Sequence, residues 1–419
     1  MWNQIGVKVI HNAPNFIRGF CQRCVKETFA SSQRYQRKTS LMSSTIHTRC
    51  ASTPPWRVLF FGSDDFAVES LKRLHDSRGE GAESVVDTLE VVTLSSNVPV
   101  RKFAEKHELR VHEWPEVQSS GQFDVGVVVS FGCLLQESLI NTFPYGILNV
   151  HPSLLPRWRG PAPVFHTILH GDKLTGVTIM QIRPRRFDVG PILSQKLYEV
   201  PENSTANELG GSLAALGAEL LIDTLRNLPE RIANRTEQAR ERATFAPKIN
   251  SVLSWLVWEE QTCDEIDRLY RAIGSRVHLR TIWMGCAIKL LDFVGKCSVP
   301  LTENSNFTAI PGSIHYQKES NILSVCCKDG WVGFKTVMLK KRLSAADFFN
   351  GYLHQSVLKK SQSQNSCRFQ SYREKTRQNS TSLLRNKTKL RKPSEDCTKL
   401  LLCAGSTGMI HPVACSRKI

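Results

Sequence analysis

Nowhere in its 419 residues does this chain approach the roughly 20 consecutive apolar residues that cross a bilayer. No membrane insertion is therefore expected. The glycine-rich fingerprint of dinucleotide enzymes is missing too. The first strand-like run, Arg57-Val-Leu-Phe-Phe61, leads into Gly62 with no second or third glycine at the G-x-G-x-x-G spacing, which argues against a nicotinamide enzyme. The thirteen cysteines lack any repeating spacing. Cys21-x-x-Cys24 has no second pair, and Cys326-Cys327 falls within one strand-like run, so reduced thiols are expected rather than a disulfide framework or a zinc site. His166 and His170 stand four apart on a helical stretch. Without the acidic residue of H-E-x-x-H between them they read as structural histidines, and no metal is expected.

Acidic residues are scarce at both ends. Residues 1–50 carry a net +7 and residues 358–419 a net +11. The whole chain carries +17, so the middle holds −1 and the body is almost neutral. Any contact of that body with a polyanion must then use local patches rather than a global field. The first 50 residues are basic, acid-poor and rich in Ser and Thr. Phe16, Ile17, Phe20 and Val25 interleave with Arg18, Arg23 and Lys26, the pattern of a mitochondrial transit peptide. The stretch 358–419 is polar, basic and expected to be disordered.

Between the ends, two textures are separated by a polar break at 229–248, read as a linker. Before it, short apolar runs alternate with amphipathic ones. A strand ends at Gly62, a helix capped by Ser63 or Asp64 carries Phe66, Val68, Leu71 and Leu74, and Val125 to Val129 reads as a strand buried on both faces. Further helices are expected over 100–107, 134–141, 161–170 and 206–228, and further strands over 89–93, 109–112 and 176–182. The alternation predicts a Rossmann-like α/β domain over 55–228 with a mostly parallel sheet. From 249 to 357 a helix over 263–273 and several short strands separated by turn residues predict a small β-barrel.

The chemistry concentrates in Asn149-Val-His-Pro-Ser-Leu-Leu-Pro-Arg-Trp-Arg-Gly160 and, downstream, Phe187-Asp-Val-Gly190. On an extended backbone residues i and i+2 project to one side, so Asn149 and His151 enter one site at a strand's carboxyl end. An amide can donate to a developing oxyanion, an imidazole moves protons near neutral pH, and a carboxylate such as Asp188 can orient it. This is an acyl-transfer kit.

These segments resemble the methionyl-tRNA formyltransferases, members of the folate-dependent formyltransferase family. So do Trp56-Arg-Val-Leu-Phe-Phe-Gly-Ser-Asp-Asp-Phe-Ala67, Tyr270-Arg-Ala-Ile273, Ile310-Pro-Gly-Ser-Ile314 and Leu343-Ser-Ala-Ala-Asp347. The resemblance spans about 55–353. It implies an OB-like second domain that binds tRNA, and transfer of formyl from 10-formyltetrahydrofolate, a cosubstrate, to the amino group of initiator Met-tRNA in the mitochondrial matrix by a monomer. It also implies that Asn149, His151 and Asp188 are catalytic and that Ser153, Leu154, Leu155 and Pro156 bind folate. For tRNA the sequence offers Arg157 and Arg159, with a salt-bridged loop as the competing reading. Bacterial relatives carry a longer basic loop where this chain has only Ser95 to Val100. Arg101 and Lys102, which follow it, and Lys340, Lys341 and Arg342 are the remaining candidates. Another folate-dependent formyltransferase or hydrolase, and a non-catalytic RNA-binding protein on the same fold, stay open as alternatives.

Overall fold

A computed structural model describes residues 52–79, 83–94, 97–117, 122–299, 309–353 and 368–372. The transit-peptide reading of 1–50 and the disorder expected over most of 358–419 lie outside them. The first part of the chain runs β1 (Trp56–Gly62), α1 (Asp65–Asp76), β2 (Val86–Thr93), α2 (Pro99–Lys106), β3 (Val111–Glu113), β4 (Val125–Val129), α3 (Glu137–Ile140), β5 (Ile147–His151), α4 (Pro163–His170), β6 (Leu174–Gln181), β7 (Ile192–Glu199) and α5 (Ala206–Arg226). Its sheet has the order β3-β2-β1-β4-β5-β6-β7. The pairs from β3 to β5 are parallel, and β6 and β7 add antiparallel strands at one edge. The order reverses between β1 and β4, and the crevice at such a switch point is where this architecture binds ligands.

Local chemistry explains most of these elements. Every residue of the Val-rich β4 is buried, as a central parallel strand requires. The Asp64 carboxylate caps α1 by accepting from the Ala67 N–H at 3.1 Å. A capping box of Thr205 and Glu208 starts α5, which buries Leu209, Leu213, Leu220 and Leu221. Two helices are shorter than the sequence suggests. Only α3 forms of the run 134–141, and α4 starts at Pro163 rather than Pro161. Leu134, Leu135, Pro161 and Ala162, left out of those helices, line a cavity instead. Strand β7 escapes the sequence reading because its exposed positions fall together at Gln195, Lys196 and Leu197 instead of alternating.

The segment after α5 does more than span two domains. It forms α6 (Leu228–Ala233), then lies along the first domain. Thr236 exchanges both backbone hydrogen bonds with Ile192, and Thr244 and Ala246 form backbone bonds with Arg159 and Ala162. Its backbone groups thus find partners on the first domain, while most of its charged side chains stay exposed.

The second part comprises α7 (Cys263–Ile273), β8 (Leu279–Trp283), β9 (Cys286–Cys297), β10 (Ile314–Gln317), β11 (Ile322–Cys326), β12 (Trp331–Met338), β13 (Arg342–Ser344) and α8 (Ala345–Phe348). The antiparallel sheet runs β10-β11-β12-β9-β8. Its two edges are bridged by residues from the basic stretch after 358. Arg368 pairs with Ser313 and Gln370 with Ile282, closing the barrel. This corrects the expectation of disorder at these positions. Between its neighbours Phe369 supplies an apolar plug, 1% exposed, against Trp258, Trp283 and Phe348. Removing a buried Phe side chain costs about 3–5 kcal/mol. Phe369→Ala, or a chain ended at residue 360, should therefore lower the denaturation midpoint of the barrel by an equivalent amount; an unchanged urea transition would contradict the closure.

Candidate active site

Asn149 and His151 sit at the carboxyl end of β5, between Val128 of β4 and Met180 and Thr178 of β6. Both side chains face the same cavity, as the two-residue period demands. His151 is buried, and its Nε2 lies 3.0 Å from the Trp158 carbonyl. A carbonyl only accepts, so Nε2 carries the proton there. Nδ1 is left as the basic nitrogen and faces the Asp188 carboxylate at 3.7 Å.

Asp188 reaches the site from the loop between β6 and β7. One carboxylate oxygen lies 3.4 Å from the Asn149 amide nitrogen; the other accepts from the Gly160 N–H at 2.8 Å. The three polar groups therefore converge. Their positions are fixed by strained or crowded backbone nearby. Asp188 itself has φ +53°, and a Cβ on Gly190 would collide with the Gln181 carbonyl. Gly160 has φ +117°, and a Cβ there would come within 2.8 Å of the Ala246 carbonyl.

Gln238, which the sequence reading did not single out, ties these parts together. Its amide donates to the carbonyls of Asp188 and Gly190 at 3.1 and 2.8 Å. Its oxygen accepts from the Arg159 guanidinium at 2.9 and 2.7 Å. Arg159 is 8% exposed, and burial together with the charge of Arg186 pulls its guanidinium below the usual arginine range. Arg157 forms a two-point ion pair with Asp172 at 2.8 and 2.6 Å while stacking on Trp158, whose indole N–H also donates to Asp172. Arg157 is thus salt-bridged within its loop, whereas Arg159 is bonded to the neutral Gln238. Nothing in the sequence separates the salt-bridged reading from the tRNA one, because both place arginines beside Trp158.

The cavity in front of Asn149 measures about 1050 Å³. Its apolar wall includes Val128, Phe131, Leu134, Leu135, Met180 and Ile182. Leu134 and Phe187 are unusually exposed for their type, at 47% and 60%. Ser153, Leu154, Leu155 and Pro156 do not line it. The Ser153 hydroxyl donates to the Arg157 carbonyl, Thr178 clamps Ser153 and Leu155 from β6, and Leu154 approaches Gly176. They support the loop from behind the cavity wall. The wall at 131–135 was the missed part; its signal was position, just past the carboxyl end of the central strand.

The other candidate cations are scattered. Arg101, near the start of α2, pairs with Glu113 at 2.6 Å and Glu105 at 3.6 Å, and Lys102 is exposed beside it. Lys340 and Lys341 are exposed at the tip between β12 and β13, where Arg342 pairs with Asp292 at 2.6 Å. His166 donates to the Pro247 carbonyl and His170 to that of His166, both rings packed near Trp158. Cys263 and Cys327 bring their sulfurs within 3.3 Å beside Asp329, and burial pushes both thiols up.

Comparison with known proteins returns two family profiles, formyl transferase over residues 57–225 and formyl transferase C-terminal domain over 248–353. The mitochondrial methionyl-tRNA formyltransferase of Homo sapiens is 57% identical over 333 residues, covering 78% of this chain and 85% of that protein. The methionyl-tRNA formyltransferase of Acetivibrio thermocellus is 31% identical over 310 residues, covering 71% and 96%. The solved structure of an N-formyltransferase from Helicobacter canadensis, in complex with folinic acid and dTDP-3-aminofucose, aligns with a TM-score of 0.48 at 18% identity, over 66% of this chain and 98% of that one.

Proposed function

The chain belongs to the formyltransferase family, and we propose that it moves the formyl group of 10-formyltetrahydrofolate onto the amino group of initiator methionyl-tRNA in the mitochondrial matrix. The observation that carries this reading is the convergence of Asn149, His151 and Asp188 on one cavity within a chain that has both family domains.

Asn149 is placed to donate its amide N–H to the oxyanion that develops when an amine attacks a formyl carbon, a contact worth about 3–4 kcal/mol in comparable sites. His151 takes the amine's proton on Nδ1, because Nε2 is committed to Trp158. Asp188 then faces the imidazolium across 3.7 Å, and the Gly160 N–H keeps it from swinging away. The proton returns to the departing nitrogen as the tetrahedral centre collapses. The wall formed by Phe131, Leu134, Leu135 and Ile182 suits a flat heteroaromatic head such as a pterin, with Ser153 to Pro156 holding the opposing loop in shape.

The test uses residues 51–372, which keep the closing segment at 368–370, with charged Met-tRNA and the formyl donor. Formyl-methionine on the tRNA is expected. Formate released without any dependence on tRNA would instead mark a hydrolase. Neutralising Lys340, Lys341 and Arg342 together should weaken tRNA binding and reduce its log–log salt slope by roughly 0.7–0.9 for each phosphate no longer neutralised, with donor affinity unchanged; an unaltered slope would move the RNA site elsewhere. The +7 leader, fused to a reporter, should carry it into the matrix, and a reporter left in the cytosol would contradict the location.

A further inference from the structure

The active-site cavity is built from the first domain except for one described side chain, Arg276, which the second domain contributes from the turn between α7 and β8. Its guanidinium lies over the Phe165 ring, 4.6 Å from the centroid. Phe165 belongs to α4 and also lines the cavity. Arg276 is exposed, and among the described residues no carboxylate pairs with it. Stacking on a ring face uses the flat side of a guanidinium and leaves its in-plane N–H groups for a ligand.

The turn that carries it is held firmly. Arg268 donates to the Leu169 carbonyl at 3.2 Å, Arg271 to that of Ser204 at 2.9 Å, and Asn207 to the Ser275 hydroxyl at 3.2 Å. These bonds fasten α7 and its following turn to the end of α4 and the start of α5. Beside them, Gly210 and Gly211 of α5 also line the cavity, and no atom lies within 4 Å of where their Cβ atoms would be. The result is an open lane at the domain junction with a cation on its border.

We infer that Arg276 binds a phosphodiester of the single-stranded acceptor end of the tRNA as it enters the cavity, which rests on the reading that charged tRNA is the acceptor. Only the aminoacyl end of so large a polymer fits a space of about 1050 Å³. The phosphates just behind it must cross the rim. Asp64, Asp65, Glu69 and Asp188 also line the cavity, and the described cations that face them are Arg186 from the first domain and Arg276 from the second. A guanidinium held over the Phe165 ring, 4.6 Å from its centroid, keeps N–H donors of the kind phosphate oxygens accept.

The test compares the full chain with Arg276→Ala and Arg276→Lys in steady-state formylation. Wild type must formylate Met-tRNA; if it does not, the functional reading itself fails. Given activity, Arg276→Ala should raise KM for Met-tRNA about tenfold, as for removal of one charge-assisted hydrogen bond. Its kcat and its KM for the formyl donor should stay within about twofold. The salt slope of binding should fall by roughly 0.7–0.9. Arg276→Lys should restore the slope and only part of the affinity. An unchanged KM for Met-tRNA would overturn the inference. So would a raised donor KM, which would assign the cation to the carboxylates of the folate tail. A lowered Tm with both KM values rising together would reduce Arg276 to a domain clamp and overturn it equally.

Discussion

Asn149→Ala and His151→Ala should each cut turnover by at least about 100-fold while binding of charged tRNA stays within about twofold. The two effects have different origins. Asn149 lines the cavity with its amide nitrogen 3.4 Å from Asp188, and in the proposed reaction its removal matters only once negative charge grows on the formyl oxygen. In the proposed mechanism His151 carries the proton, with Nε2 spent on Trp158 and Nδ1 facing Asp188. Asp188→Asn should be damaged nearly as much. An amide keeps the size and can still accept from Gly160, but it brings no negative charge to an imidazolium at 3.7 Å. Single-turnover chemistry with saturating substrates separates this from a folding defect. Near-wild-type rates in any of the three would remove that residue from the reaction.

The convergence of the proposed catalytic residues was legible because their geometry is local or nearly so. Asn149 and His151 need only the period of a strand to share a face, and the unbroken apolar run of β4 announces the centre of the sheet next to them. Asp188 was legible by resemblance rather than by spacing, since the loop that returns it depends on the β6–β7 hairpin, and β7 hides its pattern behind three exposed positions in a row. What the sequence concealed was long-range. Gln238 lies 79 residues from Arg159, and Phe369 sits in a stretch whose composition reads as disordered. A single apolar residue in a basic, polar stretch carries no periodic signal, yet it closes a barrel once both sheet edges are present. The arginines at 157 and 159 show the converse. Their charge suggested RNA, but charge does not say which way a side chain turns, and Asp172 and Gln238 supply partners no local pattern reveals.

That buried connection leads to the second large expected effect. Gln238→Leu should destabilise the first domain by about 3–5 kcal/mol, because it strips the Arg159 guanidinium of its acceptor where little water can replace it. It also leaves the carbonyls of Asp188 and Gly190 without the amide that holds them, so turnover should fall further than the drop in stability explains. Arg159→Met in the same chain removes the stranded charge at similar length. The double variant should therefore be more stable than Gln238→Leu alone, a coupling that two independent sites would not show. The same pair decides what Arg159 is for. If its guanidinium served the RNA backbone, Arg159→Met would flatten the salt dependence of tRNA binding. Because the guanidinium donates twice to Gln238, the expected result is an unchanged slope beside a lowered Tm and a slower enzyme. A flattened slope with full stability would mean that the arginine leaves its buried partner to meet the substrate.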